Sequence, residues 1–600
     1  MNVAEFIISY LEKKQVNHVF TLSGGGIMYL TEALGRSEKI KYVCNYHEQA
    51  CAISADSYGR INEIGVALVT FGPGAVNALA GAVGSWYDSV PTVVICGQVK
   101  TELIADYSVV RQLGPQEGNV MAMVEPVTKY SVQLTDPNTV EEELDKAFSI
   151  AVSGRPGPVW IEVPLDVQAA EMPVGTDHIG SNIALTNASN TNQIKERTAF
   201  VETVLSSLKT ASRPVLLVGN GIALSNTRAE LIKLAETLGI PVLVPYTARD
   251  VYCNDQDHFY GVFGTAGQRH SNIILQNSDL ILSLGVGLSV SKTGYAVDKF
   301  APNALKIGVD IDAAQLHAHS LTLDHTLEDD LRDFIPHLQG AGFHAGDQFS
   351  DWIDLCKTWQ DSYPVFVEKP LDENYVDAYR FIDELSAHLT ENEVIVTGNG
   401  LDCVSFYQGF KSKQGQRAIL NGNWGSMGWD IPTAIGAHYA TGNRVICIAG
   451  DGGMLLNSQE LLGIGANKLP IKVFVYNNEG YGSIKATQKG FFDGHFVSSE
   501  PSSGVYNPDF EFLAKAYGMS YSKVDSDMSL QSCLEQSLNN MTPELIELKI
   551  DPDQWIAPKA SAFRNSEGQI ESKPLDDMSP FLDPQEVDNN RDLALSIKKS

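Results

Sequence analysis

The apolar residues of this chain recur in short runs, bounded by glycine or asparagine and separated by amphipathic stretches. Such runs predict buried strands of a parallel sheet, and the stretches between them predict helices. The runs fall into three regions. The first region has runs at 18–22, 65–70 and 92–96, and the second has runs at 214–218, 279–285 and 305–312. The third has runs at 445–449 and 471–476. Their alternation with helices predicts an α/β protein of three consecutive open parallel-sheet domains.

Polar stretches separate the three regions. They predict domains over residues 1–172, 196–340 and 375–555, and a C-terminal arm, extended or lid-like, over 556–600. The stretch 175–197, rich in Asn, Ser and Thr, is predicted to be a linker, and a second polar bridge is predicted over about 340–374. A chain of 600 residues is too long for a single core, which agrees with several domains.

The most informative segment is a predicted β-α-β unit in the third region. A strand runs into Gly450-Asp451-Gly452-Gly453, a helix pattern covers 458–467, and a second strand ends at Asn477-Asn478. Because the carboxyl ends of neighbouring parallel strands lie side by side, Asp451 and Asn478 are expected to meet where ligands bind. A carboxylate and an amide oxygen suit Mg²⁺, which would keep its other positions for water and the oxygens of a diphosphate.

Charge narrows the classes of partner. The chain has 73 acidic and 43 basic side chains, a formal net charge of −30. This balance argues against nucleic acid and anionic membrane surfaces, which both attract basic patches.

Eight cysteines form no Cys-x-x-Cys pair, as expected of free thiols in a reducing cytoplasm. No run of about 18 apolar residues and no signal-peptide pattern is found, so neither a membrane span nor export is expected.

Further candidates lie at strand–helix junctions. Glu48 follows a predicted strand and opens a helix, where a carboxylate also serves simply to stabilise the helix N-terminus. Gly25, in Ser23-Gly24-Gly25-Gly26, and the loop Gly72-Pro73-Gly74 end neighbouring strands, where glycine lets the backbone approach a ligand. In the third region Gly425-Ser426-Met427-Gly428 precedes a helix, and Met427 taken alone is as well explained by core filling.

Together these segments resemble the thiamine-diphosphate-dependent enzymes, and most closely the acetolactate synthase group. The likeness covers about residues 1–555, and its motifs occur in the expected order: His47-Glu48-Gln49, Gly72-Pro73-Gly74, Gly425-Ser426-Met427-Gly428 and the Gly-Asp-Gly…Asn-Asn signature. The resemblance implies a pyrimidine-binding domain first, a Rossmann-like middle domain and a diphosphate-binding domain last. It also implies two cofactors, thiamine diphosphate and Mg²⁺.

The resemblance also assigns roles to residues. Asp451, Asn478 and the backbone carbonyl of Gly480 would hold Mg²⁺. Glu48 would hydrogen-bond the pyrimidine ring, Met427 would bend the cofactor, and Gln116 would contact substrate. Further cofactor contacts are implied for Gly25, Gly72, Pro73, Gly74, Asn399, Gly400, Gly425, Gly450, Gly452 and Gly453. In this family Glu48 and the metal residues come from different subunits, so a homodimer is the minimal active unit and homotetramers are common.

The implied reaction is decarboxylation of a 2-keto acid such as pyruvate, with transfer of the acetyl unit to a carbonyl acceptor. The acceptor stays open between a second pyruvate and a ketosugar or other ketone. Residues 111–114 and 574–583 resemble the sugar-modifying carboligases, and Thr487 and Leu401-Asp402 depart from the acetolactate synthase pattern. Two alternatives remain: a lyase of the same cofactor class acting on an acyl-CoA or a sulfonated aldehyde, and a nucleotide-binding protein without catalysis. The four residues Glu48, Met427, Asp451 and Asn478 argue against the second.

Flavin binding is also left open by the sequence. Acetolactate synthases bind FAD in the middle domain through a glycine-threonine turn and an arginine-rich loop. The turn is present as Gly264-Thr265-Ala266, but the loop 285–292 contains no arginine and carries Ser291 where one is expected.

Overall fold

A computed structural model describes residues 1–173, 191–317, 321–366, 372–564 and 569–597. It contains three six-stranded sheets, and every strand pair in them is parallel. The predicted α/β class with three parallel-sheet domains is therefore confirmed. Most of these strands are buried on both faces, which is why they read as continuous apolar runs rather than as alternating patterns.

The first sheet has the strand order β2-β1-β3-β4-β6-β5. Its strands are β1 (His18–Thr21), β2 (Lys41–Cys44), β3 (Gly65–Val69), β4 (Thr92–Gln98), β5 (Tyr130–Gln133) and β6 (Val159–Pro164). The helices around it are α1 (Val3–Lys13), α2 (Met28–Arg36), α3 (Glu48–Gly59), α4 (Pro73–Asp88), α5 (Val120–Val124), α6 (Val140–Val152) and α7 (Leu165–Ala169).

The middle sheet has the order β12-β11-β10-β7-β8-β9, the doubly wound Rossmann order. Its strands are β7 (Pro214–Val218), β8 (Val242–Pro245), β9 (Phe259–Phe263), β10 (Leu280–Leu284), β11 (Leu305–Asp310) and β12 (His325–Glu328). Its helices are α8 (Thr191–Thr210), α9 (Gly221–Leu224), α10 (Arg228–Leu238), α11 (Arg269–Gln276), α12 (Val290–Thr293), α13 (Ala313–His317), α14 (Leu331–Gly340) and α15 (Ser350–Ser362).

The third sheet repeats the strand order of the first, as β14-β13-β15-β16-β18-β17. Its strands are β13 (Val394–Thr397), β14 (Arg417–Ile419), β15 (Val445–Gly450), β16 (Ile471–Asn477), β17 (Ser520–Val524) and β18 (Glu544–Lys549). Its helices are α16 (Ala378–His388), α17 (Leu401–Gly409), α18 (Asp430–Thr441), α19 (Asp451–Met454), α20 (Leu461–Ala466), α21 (Gly482–Phe491), α22 (Phe510–Ala516) and α23 (Asp527–Leu538).

Three interpretations of polar stretches need correction. The predicted bridge over 340–374 is wrong in its centre, because it contains α15, whose Trp352 and Trp359 are buried. The Trp352 indole N–H donates to the Pro214 carbonyl at 3.0 Å, which fixes α15 to the middle sheet. The predicted linker falls largely on residues 174–190, outside the described ranges, and its last residues, from Thr191 onward, are the first turns of α8.

The C-terminal arm is also more structured than predicted. It forms a hairpin of β19 (Ala562–Arg564) and β20 (Ile570–Ser572) and ends in α24 (Pro584–Ser596). Leu575 and Met578 are buried, and the Arg269 guanidinium donates to the carbonyls of Met578 at 3.2 Å and Pro580 at 2.6 Å. The arm therefore packs on the middle domain.

Two helices dock the first domain onto the third. The Ser54 and Ser57 hydroxyls on α3 donate to the Pro432 and Thr433 carbonyls on α18, both at 2.8 Å. A Cβ on Gly436 would lie 2.2 Å from the Ser54 carbonyl oxygen, so the two helices approach closely enough to require glycine. The small residues of α3 thus serve helix packing, and they fix the direction in which its first residue, Glu48, points.

The eight cysteines are free thiols, and all but Cys44 and Cys533 are buried. Among the described residues no helix is both long and apolar enough to cross a bilayer.

Candidate functional site

Asp451 and Asn478 meet at the carboxyl edge of the third sheet, as the sequence predicts. Strands β15 and β16 pair in register, so their ends lie side by side. The Asp451 Oδ2 atom accepts the backbone N–H groups of Asn478 at 3.2 Å and Gly480 at 3.0 Å, and the Asn507 side-chain amide at 2.8 Å. Its Oδ1 atom accepts the Gly452 N–H at 2.7 Å. One carboxylate therefore holds both strand-end loops together.

The charge of Asp451 is only partly offset by protein groups. Burial raises the pKa of this carboxyl group, while the N–H donors and the ammonium group of Lys485 lower it. Lys485 is itself buried, and its Nζ donates to the Asn478 carbonyl at 2.7 Å. Sequence reasoning missed Lys485 and Asn507, because neither lies in a recognisable motif.

The geometry at Gly480 explains why glycine ends the metal motif. Its φ is +119°, and a Cβ there would lie 2.4 Å from the Ser499 carbonyl oxygen. Only glycine adopts this conformation without strain. The Asp451 carboxylate, the Asn478 side-chain amide and the Gly480 carbonyl, which also accepts the Gly482 N–H at 3.0 Å, are oxygen ligands of the kind Mg²⁺ prefers. Among the described residues no group of three or more His, Cys, Asp or Glu side chains could hold a metal, so a metal here depends on these amide and carbonyl oxygens.

Glycine loops surround this carboxylate at the point where the strand order of the third sheet reverses. β13 ends in Asn399-Gly400 and β15 in the loop 450–453, which includes Gly450, Gly452 and Gly453. Ligands bind in such crevices, and the N–H groups that begin a helix suit phosphate. A Cβ on Gly452 would lie 2.3 Å from the Tyr481 ring, so this glycine is needed for the packing of the loop.

Met427 and Gly425 lie in the turn between β14 and α18. Met427 is half-buried and Gly425 has φ +65°. The Gly425 carbonyl accepts a hydrogen bond from the Asn399 side-chain amide. The resemblance assigns this stretch of backbone to the cofactor amino group, so Asn399 competes for that acceptor.

The first sheet repeats the arrangement of glycine loops. β1 is followed by Gly25 and β3 by Gly72-Pro73-Gly74, again where the strand order reverses. Glu48 is the first residue of α3, and its Oε2 accepts the Asn77 side-chain amide at 3.0 Å. Its Oε1 lies 2.9 Å from the position of a Cβ on Gly74. Glu48 therefore faces the Gly72–Gly74 loop directly.

Gln116 is brought to the same loop. A Cβ on Gly72 would lie 1.8 Å from the Gln116 carbonyl oxygen, and Gln116 itself has φ +61°.

Gly25 is exposed and has no close neighbour, so the structure assigns it no packing role. The structure thus gathers Glu48, Gly72, Gly74 and Gln116 in the first domain, and Asp451, Asn478 and Gly480 in the third.

A pair of buried carboxyl groups, Asp402 and Asp430, lies next to the third-domain glycine loops. Their Oδ2 atoms lie 2.7 and 2.9 Å from the position of a Cβ on Gly398, and neither has a hydrogen-bond partner. Burial and the neighbouring charge of Asp430 raise the pKa of Asp402 from 3.8 to about 7. Burial raises the pKa of Asp430 to about 6. The sequence showed Asp402 only as a departure from the family pattern and gave no reason to pair it with Asp430.

This pair makes stability depend on pH. An acid whose pKa is higher in the folded chain binds more protons when folded, so stability falls as the pH rises from the unfolded to the folded pKa. For Asp402 that window runs from about 4 to about 7 and is worth on the order of 4 kcal/mol. We expect Asp402→Asn to raise the thermal unfolding midpoint at pH 8 by at least about 2 °C over the parent, and to raise it by only about a third as much at pH 5, one third of the way through this window. A difference in unfolding midpoint between variant and parent that is equally large at both pH values would contradict the raised pKa of Asp402.

The middle domain carries a third crevice at its own reversal of strand order. Gly219 and Gly221 follow β7, Gly285 and Gly287 follow β10, and these residues line a cavity of about 440 Å³. Lys292 also lines it, and burial lowers the pKa of this side chain to about 8. Its Nζ donates to Asn423 Oδ1 at 2.8 Å and to Ser289 Oγ at 3.2 Å.

The turn Gly264-Thr265-Ala266 does not line this cavity. The Thr265 N–H and hydroxyl both donate to the Ser291 carbonyl, at 2.9 and 3.1 Å, and the Thr265 carbonyl accepts the Ala560 N–H of the C-terminal arm. The polar groups that the resemblance offers to a flavin are therefore already used within the protein.

Three family models match the chain in the order of its sheets. Their descriptions are the thiamine pyrophosphate enzyme N-terminal TPP binding domain over residues 1–123, the central domain over 201–338 and the C-terminal TPP binding domain over 399–548. These matches and the relatives below confirm that the chain belongs to the thiamine pyrophosphate enzyme family.

Within that family the chain is similar to acetolactate synthase large subunits. It is 30% identical over 599 residues to a probable acetolactate synthase large subunit of Methanococcus aeolicus, covering 96% of both chains. It is 31% identical over 553 residues to the large subunit of Cyanidium caldarium, covering 90% of this chain and 92% of that one. It is 29% identical over 561 residues to the isozyme 1 large subunit of Escherichia coli K12, covering 92% and 95%.

Proposed function

We propose that this protein is a thiamine-diphosphate-dependent carboligase that decarboxylates pyruvate or a similar 2-keto acid and joins the acetyl unit to a second carbonyl compound. The observation that carries the proposal is the Asp451 carboxylate, which draws the Asn478 and Gly480 loops into an oxygen-rich site bordered by glycine loops. The proposal is supported by relatives that are named acetolactate synthase large subunits and that match nearly the whole chain.

Each group of residues has a defined task in this proposal. Thiamine diphosphate, when bound, acts as the electron sink for loss of CO₂. Asp451, Asn478 and the Gly480 carbonyl hold Mg²⁺, and the loop 450–453 receives the diphosphate. Glu48 holds a proton at the pyrimidine ring, where a positioned carboxyl group can act as acid and base. Met427 supports the cofactor, and Gln116 contacts the substrate.

A homodimer is part of the proposal. Large apolar side chains that lie close in sequence to the site loops are exposed and available to a partner chain: Met28, Tyr46, Val76, Trp424, Leu456 and Ile484. A second copy that covers them would bring the first-domain loops of one chain to the third-domain loops of the other. We expect sedimentation equilibrium to give a dimer or a dimer of dimers, and a monomer that is fully active would contradict the shared site.

Flavin is not part of the proposal. The Thr265 turn is bonded to Ser291 and to the C-terminal arm, and the loop 285–292 lacks arginine, so these residues do not fit the flavin end of FAD. We expect the purified protein to be colourless and to release no flavin on heat denaturation. A yellow protein that releases FAD in proportion to subunits would overturn this assignment.

The proposed reaction is tested by incubating the protein with thiamine diphosphate, Mg²⁺ and pyruvate and following CO₂ release. The acceptor is then assigned by product analysis, with pyruvate alone or with added ketones and ketosugars. Acetolactate as the product would assign the second pyruvate as acceptor, whereas faster CO₂ release with a ketosugar would assign the sugar. If acyl-CoA or sulfonated aldehyde substrates react while pyruvate does not, the enzyme is a lyase of the same cofactor class.

A further inference from the structure

The loop between β4 and α5 presents Gln116 to the first-domain glycine loop. The Gln116 carbonyl packs on Gly72, and Gly74 of the same turn faces the Glu48 carboxylate. Gln116 has φ +61°, a region that non-glycine residues rarely occupy. Such a conformation persists only where the surrounding structure fixes it, and these places are often functional. The question is therefore which group fixes it.

Most of this loop has little to hold it in place. Val109 is 75% exposed and Leu113 is 59% exposed, and Arg111 is exposed as well. Glu117 differs from the other charged residues of the loop, because it is only 4% exposed whereas Asp106 and Arg111 are exposed. A buried carboxyl group inside an exposed loop needs hydrogen-bond donors of its own.

Glu117 finds those donors within the loop itself. Its Oε1 atom accepts the Leu113 N–H at 2.6 Å, and its Oε2 atom accepts the Tyr107 hydroxyl. Its backbone carbonyl accepts the Gln112 side-chain amide at 3.0 Å. We name the contacts of the Glu117 carboxylate with Leu113 and Tyr107 the Glu117 clasp, since one side chain closes the loop from 107 to 117.

We propose that Glu117 is a positioning residue, whose clasp holds Gln116 in its left-handed conformation against Gly72 and beside Glu48. Glu117 acts through Gln116 and has no contact with substrate. This inference rests on the proposed function, in which Gln116 meets the substrate. It explains why Glu117 is buried while Asp106 and Arg111, charged residues of the same loop, are exposed.

The test compares four variants in the full-length enzyme loaded with thiamine diphosphate and Mg²⁺. Glu117→Ala is expected to lower kcat/KM for pyruvate about 100-fold, because a displaced contact group costs about that much. Glu117→Gln keeps an acceptor oxygen for the clasp and is expected to stay within about threefold of the parent. Adding Glu117→Ala to Gln116→Ala is expected to cost nothing further, since residues that act through one another are not additive.

Glu102→Ala is the matched control, because Glu102 is an exposed acid just before the same loop. It is expected to leave kcat/KM unchanged. Parent-like kcat/KM in Glu117→Ala, or losses that add in the double variant, would overturn the positioning role. A loss in Glu117→Gln as large as in Glu117→Ala would overturn it as well.

Hydrogen exchange separates this inference from the proposed function. In Glu117→Ala the Leu113 amide is expected to exchange at least about tenfold faster, because it loses its acceptor. If the parent releases no CO₂ from pyruvate but the Leu113 amide exchanges faster in Glu117→Ala, the clasp is supported and pyruvate is excluded as the substrate. Unchanged exchange would overturn the clasp whatever the activity.

Discussion

Glu48→Gln is expected to lower kcat for pyruvate decarboxylation by about 100- to 10,000-fold, the range that a positioned acid–base group contributes. The amide keeps the size of the side chain and its contact with Asn77, but it cannot hold and release a proton. Thiamine diphosphate affinity is expected to stay within about threefold, because the proposed diphosphate and metal contacts lie in the third domain. Stopped-flow or coupled CO₂ assays give kcat, and calorimetry gives the cofactor affinity.

Glu63→Gln is the control for this variant, since Glu63 is an exposed glutamate of the same domain, a few residues beyond α3. It is expected to behave like the parent. Turnover of Glu48→Gln at the parental rate would show that another group carries the proton. Loss of cofactor binding in Glu48→Gln would instead show that Glu48 serves binding rather than turnover.

Asp451→Asn is expected to weaken thiamine diphosphate binding about 100-fold in the presence of Mg²⁺, a change of about 2.7 kcal/mol. The substitution removes the one charged ligand from the proposed metal site. The carboxylate accepts four N–H groups, and the amide that replaces it would present an NH₂ donor to some of them. In the presence of EDTA the difference in affinity between parent and variant is expected to shrink, because only the part that comes from the loop hydrogen bonds remains without the metal.

Asp525→Asn provides the same chemical change at an exposed position, where the side chain only pairs with Lys523 at 3.3 Å. It is expected to leave the affinity unchanged. A metal-independent loss in Asp451→Asn would mean that Asp451 only holds the loops together. Unchanged affinity would remove Asp451 from the cofactor site.

The sequence predicts the sheets well, because strands buried on both faces leave continuous apolar runs. Asp451 and Asn478 could be placed together for the same reason, since neighbouring parallel strands end at one edge. The order of the strands could not be seen, so the shared topology of the first and third sheets emerged only in the structure. Helix α15 was missed because its two buried tryptophans lie among acidic residues in a stretch that is polar on average.

Side-chain networks across sequence-distant loops were beyond sequence reasoning. Asp402 and Asp430 are 28 positions apart, and in the fold their carboxyl groups meet beside Gly398. Lys485 reaches Asn478 from helix α21, and Asn507 reaches Asp451 from the loop before α22, and no periodicity of the sequence relates the two. The C-terminal arm was expected to be extended or lid-like because it is polar. Its contacts with Arg269 run through backbone carbonyls, which leave no trace in composition.

The central claim is that this chain binds thiamine diphosphate through a metal held at Asp451, Asn478 and Gly480. Isothermal titration of the purified protein with thiamine diphosphate, with Mg²⁺ and then with EDTA, tests it most directly. The claim predicts saturable binding of one cofactor per chain with Mg²⁺ and at least about tenfold weaker binding with EDTA. No heat of binding with Mg²⁺ present, or equal affinity without the metal, would contradict it.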